Sequence, residues 1–308
     1  MTCVKGYQMK ISVRWTLAIL LGSFLSPLCS RAASVNLTPV PGVGRLHKIN
    51  DGKQAVGYTL GGDQPEGFIY ENGNRTFINI KNGTGVQVYG IENNGRAVGK
   101  YYEYEPVTKG PVKTHGFLYF HGDVTTIDVP GSAVTVCRGI NTQQRIVGHY
   151  KRSPNSGDNG ADHGFFFDKD YTTIDFPGAL STYAVGINNP GDIVGNYYTT
   201  PDPNNAGESH SHGFRRDKNG NWTPIDVSIP GVTVIDTFCN DINNSGVIVG
   251  SYIDGDGNTH GFVDIAGVFL SVDAPDTPPG VGTIVQAISN NGDLTVSGST
   301  AFLGTVTQ

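Results

Sequence analysis

The sequence has 308 residues, of which 43 are Gly and 17 are Pro, and its formal net charge is −6. This acidic balance excludes the basic surface that a nucleic-acid backbone requires, so we expect no nucleic-acid partner. Short runs rich in Val, Ile, Tyr, Phe and Thr lie between the Gly and Pro turns. This composition favours compact β structure over disorder.

The N-terminal residues 1–32 have the pattern of a secretory signal peptide. Lys10 and Arg14 precede an apolar run at residues 15–28, and small residues follow near Ala32. The run is shorter than the roughly 20 residues that a transmembrane helix needs. We therefore predict a protein that is secreted or at the cell surface (extracellular or periplasmic), without membrane contact after cleavage. An uncleaved anchor is the alternative.

One motif, Ile-Asn-x-x-Gly-x-x-Val-Gly, recurs along the rest of the chain, and we call it the marker. Its last copy is decayed and reads ISNNGDLTVSG. The copies lie roughly 40–55 residues apart, a spacing typical of solenoids, propellers and arrays. The six copies begin at Ile49, Ile91, Ile140, Ile187, Ile242 and Ile288.

Each repeat contains four short β-prone runs, which are clearest in the unit of residues 163–197. The turn between its last two runs is Asn-Pro-Gly, which is typical of a hairpin because Asn and Gly tolerate positive φ. Helical periodicity is absent. Four antiparallel strands per repeat predict one blade of a β-propeller. The four runs cover residues 164–168, 172–176, 183–188 and 192–197.

The two ends of the predicted mature chain complement each other. Residues 35–42 align with the second run of a unit but lack a first run, whereas residues 301–303 align with that first run. The C-terminal strand can therefore complete the first blade and remove an exposed edge. We predict an all-β, six-bladed β-propeller of four-stranded antiparallel blades, closed in this way. We also predict that residues 33–308 form a single domain and that the protein is a monomer. An open array or two three-repeat lobes are the alternatives.

The units resemble the HAF-type extracellular repeats of bacterial secreted proteins. The resemblance rests on His-Gly-Phe at residues 115, 163, 212 and 260, on the Pro-Gly corners and on the marker. It covers nearly all of residues 34–308, although Glu66-Gly67-Phe68 departs from the His-Gly-Phe pattern. The resemblance implies an exported, propeller-like protein. It implies no catalytic residues and no assigned role.

Several side chains recur once per unit, and we predict that they serve the fold. A His opens the first run and an Asp closes the second, which predicts a hydrogen bond within each blade. Cys137 and Cys239 share one apolar marker-strand position, which predicts free core thiols, with a disulfide as the alternative. A Tyr also recurs two residues after the marker Gly. The recurring residues are His115, His163, His212, His260, Asp128, Asp175, Asp226, Asp273, Tyr101, Tyr150, Tyr197 and Tyr252.

The long connections that follow the marker project from one face, and we predict that this face binds a partner. Function concentrates in variable loops on a rigid scaffold, although a plain spacer role is the alternative. Aromatic rings beside carboxylates can stack on and hydrogen-bond a sugar or a protein group. The connections cover residues 100–114, 151–162, 199–211 and 253–259, and their non-recurring candidates are Tyr102, Glu103, Tyr104 and Tyr198.

Asp254, Asp256 and Asn258 place oxygen donors at alternate positions, as at the start of a calcium loop. The Glu of such a loop is replaced by Ile265, so a solvated Asp-Gly turn is the alternative. A zinc or copper site at His210 and His212 lacks an identifiable third ligand. No phosphate loop, dinucleotide fingerprint or nucleophile elbow is present. We therefore expect no cofactor, with Ca²⁺ as the one candidate.

These features favour a non-enzymatic binding module for an extracellular glycan or protein, acting through the long inter-blade loops. A carbohydrate-active hydrolase or lyase on the same scaffold is one alternative, so enzymatic activity stays open. A purely structural surface protein is the other. Unpaired carboxylates converging on the central channel would favour the enzyme, whereas an aromatic-lined face would favour the binder.

Overall fold

The computed structural model describes residues 7–9, 34–104, 111–152, 160–199, 210–275, 277–278 and 280–307. These residues form strands and turns, and no α-helix occurs among them. The described part therefore offers no helix of the length and apolarity needed to cross a membrane. Apart from residues 7–9, the predicted signal peptide lies outside the described residues.

Twenty-five strands occur within the described ranges. The first thirteen are β1 Tyr7–Met9, β2 Ser34–Val40, β3 Arg45–Ile49, β4 Ala55–Tyr58, β5 Gly67–Glu71, β6 Asn74–Phe77, β7 Gly83–Ile91, β8 Ala97–Tyr104, β9 Pro111–Phe120, β10 Asp123–Ile127, β11 Ser132–Ile140, β12 Ile146–Arg152 and β13 Asp162–Asp168. The others are β14 Asp170–Thr173, β15 Ser181–Ile187, β16 Ile193–Tyr198, β17 Ser211–Arg216, β18 Trp222–Ile225, β19 Val234–Ile242, β20 Ile248–Asp254, β21 Thr259–Ile265, β22 Val268–Val272, β23 Ile284–Ile288, β24 Asp293–Ser297 and β25 Ala301–Thr307.

Antiparallel hydrogen bonding orders these strands into groups of four. The groups β3 to β6, β15 to β18 and β19 to β22 are separate sheets. The groups β7 to β10 and β11 to β14 are joined into one larger sheet by a single parallel pair, Thr114 and Val134. In the remaining sheet, β23, β24 and β25 are followed by β2 and then β1. Sheets of this kind, packed face to face in succession, give a β-propeller arrangement.

The four-stranded group is shifted in phase from the predicted repeat unit. Each group begins with the marker strand, so β15 to β18 combine the end of one sequence unit with the start of the next. The prediction that residues 163–197 form one blade is therefore wrong. The long connections, such as the one between β8 and β9, join the second and third strands of one group. They are not inter-blade loops, and the Pro-Gly corners connect successive groups instead.

The terminal strands pair as predicted, but in a different sheet. β2 lies antiparallel to β25, with Thr38 opposite Leu303 and Val40 opposite Ala301. The first group, β3 to β6, already has four strands of its own. The C-terminal strand therefore does not complete the first blade. Instead, the N-terminal strand β2 supplies the fourth strand of the group that begins with β23.

The core lies between neighbouring groups and depends on one recurring aromatic residue. The Phe of each third strand is wholly or almost wholly buried. It packs against the preceding group, as Phe165 does against Val98 and Ile127, because successive sheets pack face to face. Cys137 and Cys239 are buried free thiols, as predicted. The recurring core rings are Phe68, Phe117, Phe165, Phe214, Phe262 and Phe302.

The predicted His–Asp hydrogen bonds are present in four groups. The imidazole Nδ1 of His163 lies 2.8 Å from the carboxylate of Asp175, and the other three pairs are equivalent. The recurring Tyr lies against each of these imidazoles, as Tyr197 does on His212 with ring centroids 5.1 Å apart. These side chains form an outer network that repeats with the fold.

Candidate ligand-binding site in the central channel

The first strands of the groups lie beside one another and face a common space, which is called the central channel below. Contacts link β3 to β7, β7 to β11, β11 to β15, β15 to β19, β19 to β23 and β23 to β3. Gly139 allows a close approach, since a Cβ there would lie 2.9 Å from the backbone oxygen of Val185. Lys48 on β3 forms an ion pair with the fully buried Asp241 on β19, past the intervening β23. This pair links two first strands that are not neighbours and so spans the channel.

The end of the channel next to the marker turns is closed by polar side chains. Asp51 accepts a hydrogen bond from the backbone N–H of Asn290 at 2.7 Å, and Asn189 accepts one from Thr142 at 3.1 Å. Residues from every marker copy line a pocket of about 50 Å³. That volume holds a few water molecules and is far below the 300–1,000 Å³ of ordinary ligand sites. A larger ligand must therefore enter from the opposite end.

On the other side of the Lys48–Asp241 pair, the channel is lined by residues that vary between repeats. They occupy two positions, one located two residues before the marker Ile and one directly after the marker Gly (Val296 in the last copy). The first position holds His47, Tyr89, Arg138, Val185, Asn240 and Gln286. The second holds Tyr58, Lys100, His149, Asn196, Ser251 and Ser297.

Aromatic and cationic groups meet on one side of this channel. His47 lies edge-on to Tyr89, with ring centroids 4.9 Å apart, and stacks on Tyr58 at 5.3 Å. The guanidinium carbon of Arg138 lies 4.4 Å from the centre of the Tyr89 ring. This distance is within the range of a cation–π interaction.

The same side continues through His149 and Tyr183. Their ring centroids are 4.8 Å apart, and the Tyr183 hydroxyl donates a 2.5 Å hydrogen bond to Asp162. Asp162 is also paired with Lys151 at 3.1 Å. His47, Tyr89, Arg138, His149 and Tyr183 are called the inner cluster below.

Three polar atoms of the inner cluster lack a hydrogen-bond partner among the described residues. They are His47 Nε2, Arg138 Nε and His149 Nδ1, all of them buried. Buried polar atoms normally have partners, so unpaired ones require an explanation such as a bound ligand or water. On the strands β19 and β23, by contrast, Asn240 donates to the backbone oxygen of Val285 and Gln286 donates to Ser297. Gln286 is also a neighbour of His47, because β23 contacts β3. The unsatisfied atoms of the channel thus lie on β3, β11 and β12, and the fourth such atom among the described residues, Arg215 Nε, lies on β17.

Burial also sets the protonation of these side chains. It lowers the pKa of His47 and of His149 well below the ordinary value, and the positive charge of Arg138 adds to this effect. Both imidazoles are therefore neutral at pH 7 and can each donate and accept one hydrogen bond. Burial raises the pKa of Tyr89 to about 12, which keeps its hydroxyl protonated.

The predicted ligand residues Tyr102 and Glu103 point to opposite sides of β8. Tyr102 lies on the channel side, where its hydroxyl accepts a 3.0 Å hydrogen bond from Lys100. Gly85 makes room for the ring, because a Cβ at that residue would lie 2.5 Å from Tyr102 Cδ2. Glu103 is exposed on the outer side, 3.5 Å from His115. Of these two residues, therefore, only Tyr102 lies towards the inner cluster.

Tyr198 also belongs to this region, since its ring meets that of Tyr183 edge-on at 5.7 Å. The side chain of Tyr104 lies outside the described residues. So do the middle parts of three long connections, at residues 105–110, 153–159 and 200–209. A surface groove of about 410 Å³ lies beside Gly85, between residues 61–66, 77–80 and 83–86. Its size suits one or two sugar rings.

The predicted calcium donors are engaged within their own turn. Asp254 accepts hydrogen bonds from the backbone N–H groups of Asp256 and Asn258 and from His260. These bonds lower the pKa of Asp254 to about 2. Within the described ranges, no three His, Cys, Asp or Glu side chains are arranged to hold a metal ion. The turn from Asp254 to Asn258 is thus held by its own hydrogen bonds.

Comparison with known proteins supports the fold only. No family model and no curated protein matches the sequence. A gluconolactonase from Xanthomonas campestris, XC5397, superposes with a TM-score of 0.51 and 11% identity, covering 89% of this chain and 90% of that one. A protein of unknown function from Dyadobacter fermentans gives 0.50 at 10% identity, covering 88% and 98%. A prolyl endopeptidase gives 0.51 at 12% identity, covering 89% and 42%.

The two neutral imidazoles predict a dependence of stability on pH. Because the pKa of His149 is lowered in the folded protein, its stabilising contribution is complete above about pH 6.5 and is lost as the pH falls below that value. Between pH 6.5 and 5 we expect a loss of up to about 2 kcal/mol from this residue. In chemical denaturation, His149→Gln should therefore gain stability relative to wild type as the pH falls.

His260 provides a matched control with the opposite sign. Burial lowers its pKa, but hydrogen bonds to Asp273 and Asp254 outweigh this effect and the net shift is upward. Its contribution is therefore present below about pH 6.5 and is lost as the pH rises through the raised pKa. His260→Gln should lose stability relative to wild type on acidification. Parallel curves for the two variants would contradict the assignment of His149.

Proposed function

We propose that this protein is a secreted or cell-surface β-propeller that binds an extracellular glycan at the open end of its central channel. The observation that carries the proposal is the inner cluster. Its aromatic faces and unsatisfied buried nitrogen atoms lie together on one side of the channel. No other repeat carries the same residues at these positions. Sugars are bound by aromatic rings that stack on their apolar faces and by polar groups that hydrogen-bond their hydroxyls.

The proposal includes a closed ring of six blades around this channel. Three contacts support closure between the first and last groups: the pairing of β2 with β25, the contact of β23 with β3, and the hydrogen bond from Asn290 to Asp51. A closed ring fixes the first strands on all sides, so residues from distant parts of the chain keep their relative positions. It also removes the open sheet edges that promote aggregation.

The carboxylates favour binding over hydrolysis. Glycoside hydrolysis needs a pair of carboxyl groups that are free to act on the scissile bond. Asp241 is engaged by Lys48, Asp162 by Lys151 and Tyr183, and Glu92 by Arg96 and backbone N–H groups. These three carboxylates are thus committed to structural partners.

A glycan array with the protein lacking residues 1–32 tests the proposal. We expect binding to a restricted set of glycans without turnover. Tyr102→Ala should weaken that binding about fivefold, since an aromatic contact contributes roughly 1 kcal/mol. Tyr101→Ala is the matched control, because the adjacent ring faces the outer His115 network. Its affinity per folded molecule should be unchanged.

Two results would overturn the proposal. One is the absence of binding to every glycan, and the other is equal loss of affinity in the Tyr101 and Tyr102 variants. Release of reducing ends from a bound glycan would instead favour the hydrolase or lyase alternative. Culture fractionation tests the proposed location, which predicts the protein outside the cytoplasm and shorter by the N-terminal 32 residues.

A further inference from the structure

Arg45 and Lys100 lie near the inner cluster, which includes Arg138, and none of these three cations has a carboxylate partner among the described residues. The charges of Arg138 and Arg45 both act on His47, and those of Arg138 and Lys100 both act on His149. None of the three is within ion-pair distance of an Asp or Glu in the described part of the chain, whereas Lys48 and Lys151 have such partners. The channel mouth is thus locally positive in a chain of net charge −6.

Uncompensated charge in a partly enclosed site is costly, and a bound anion relieves the cost. The available donors suit a carboxylate in particular. Arg138 presents a planar guanidinium whose Nε is unpaired, and His149, which is 7% exposed, has an unpaired Nδ1. A guanidinium and a carboxylate match in geometry and form paired hydrogen bonds. An ammonium such as Lys100 adds charge without that directional match.

The surroundings distinguish a sugar acid from a small inorganic anion. Tyr89 and Tyr183 flank the donors, and Tyr102 continues the aromatic surface towards the groove beside Gly85. An inorganic anion makes no use of these faces. A pyranose that carries a carboxylate can stack on a ring and reach Arg138 at the same time.

On this basis, which rests on the proposed function, we propose that the channel mouth binds the carboxylate of an acidic sugar. Arg138 is the central ligand, Lys100 and Arg45 supply further positive charge, and His47 and His149 hydrogen-bond the bound group. The ligand class is therefore a uronate-containing glycan rather than a neutral one. Arg138 acts in recognition and has no role in bond cleavage.

Calorimetry with matched oligosaccharides tests this assignment. The probes are a trisaccharide of galacturonate, its methyl ester and the corresponding galactose trisaccharide, which share ring stereochemistry and differ in charge. We expect the acid to bind the wild-type protein at least tenfold more tightly than either neutral probe. Arg138→Gln should remove this preference, while Arg215→Gln should keep it, because Arg215 is paired with Asp192 outside the channel.

The outcomes separate this inference from the proposed function. Equal affinity for the acid and its ester would overturn the carboxylate assignment and leave a neutral-glycan binder. If none of the three trisaccharides binds while other neutral glycans on the array do, the carboxylate assignment is likewise overturned. Absence of binding to every carbohydrate would overturn both proposals. Inorganic sulfate that competes as tightly as the trisaccharide would overturn the sugar assignment. The ester comparison uses wild-type protein, so it decides the question even if Arg138→Gln fails to fold.

Discussion

Asp241→Ala is expected to lower the free energy of unfolding by about 3–5 kcal/mol, because it leaves the charge of Lys48 unpaired across the channel. The carboxylate also accepts hydrogen bonds from the backbone N–H groups of Ile242 and Ile288, so two buried donors lose their acceptor as well. Urea denaturation followed by circular dichroism measures the loss.

A rim ion pair provides the control for this prediction. Lys53 lies 3.7 Å from Asp293, but its side chain is 74% exposed, and exposed pairs contribute little. Lys53→Ala should therefore change stability by less than about 1 kcal/mol. A loss below 1 kcal/mol for Asp241→Ala would show that the Lys48–Asp241 pair is not the buried link described here.

Phe165→Ala is expected to destabilise the protein by about 3–5 kcal/mol, through lost apolar burial and the cavity left behind. Phe165 is fully buried among Val98, Ile127 and Cys137, so it joins two neighbouring four-stranded groups. The same denaturation experiment measures the effect, and the corresponding Phe214→Ala should behave alike because its ring is also fully buried.

Phe77→Ala is the matched control, since this ring is 40% exposed. Its removal should cost about 1 kcal/mol, because it already contacts water in the folded state. Similar losses for Phe77→Ala and Phe165→Ala would contradict the face-to-face packing of neighbouring groups.

Features that recur in every repeat could be predicted from the sequence. Recurrence itself indicated the β-propeller arrangement, the His163–Asp175 type of hydrogen bond and the burial of Cys137. Each of these features depends on residues that are close in sequence or that recur in successive repeats. Local patterns of this kind specify strand and turn chemistry, because the side-chain period and the turn residues are local properties.

The phase of the four-stranded group could not be predicted in the same way. A repeating pattern has no marked beginning, so it allows any of its strands to be the first. The choice depends on which strands pair across the long connections, as β8 does with β9. That pairing is a tertiary property. Because strand pairing could not be predicted, the C-terminal strand was wrongly predicted to lie in the first blade.

The inner cluster was missed although a usable pattern was present. Recurring residues were predicted to serve the fold and non-recurring ones to serve function, but the predicted functional residues all lay in the long connections. The residue directly after the marker Gly varies between copies, from Tyr58 to Lys100 to His149, and only the last two copies share a Ser. Variation within an otherwise repeated strand indicates positions that do not serve the repeat. Only the folded chain brings them together at the channel.

The most direct test of the channel site is ¹⁵N NMR of the imidazole groups during titration with the galacturonate trisaccharide. The resonances of His47 and His149 should shift with ligand, because their unpaired nitrogens face the site. Those of His115, His212 and His260 should stay constant, because these residues belong to the outer His–Asp network. Shifts confined to the outer histidines, with His47 and His149 unchanged under saturating ligand, would contradict a binding site in the channel.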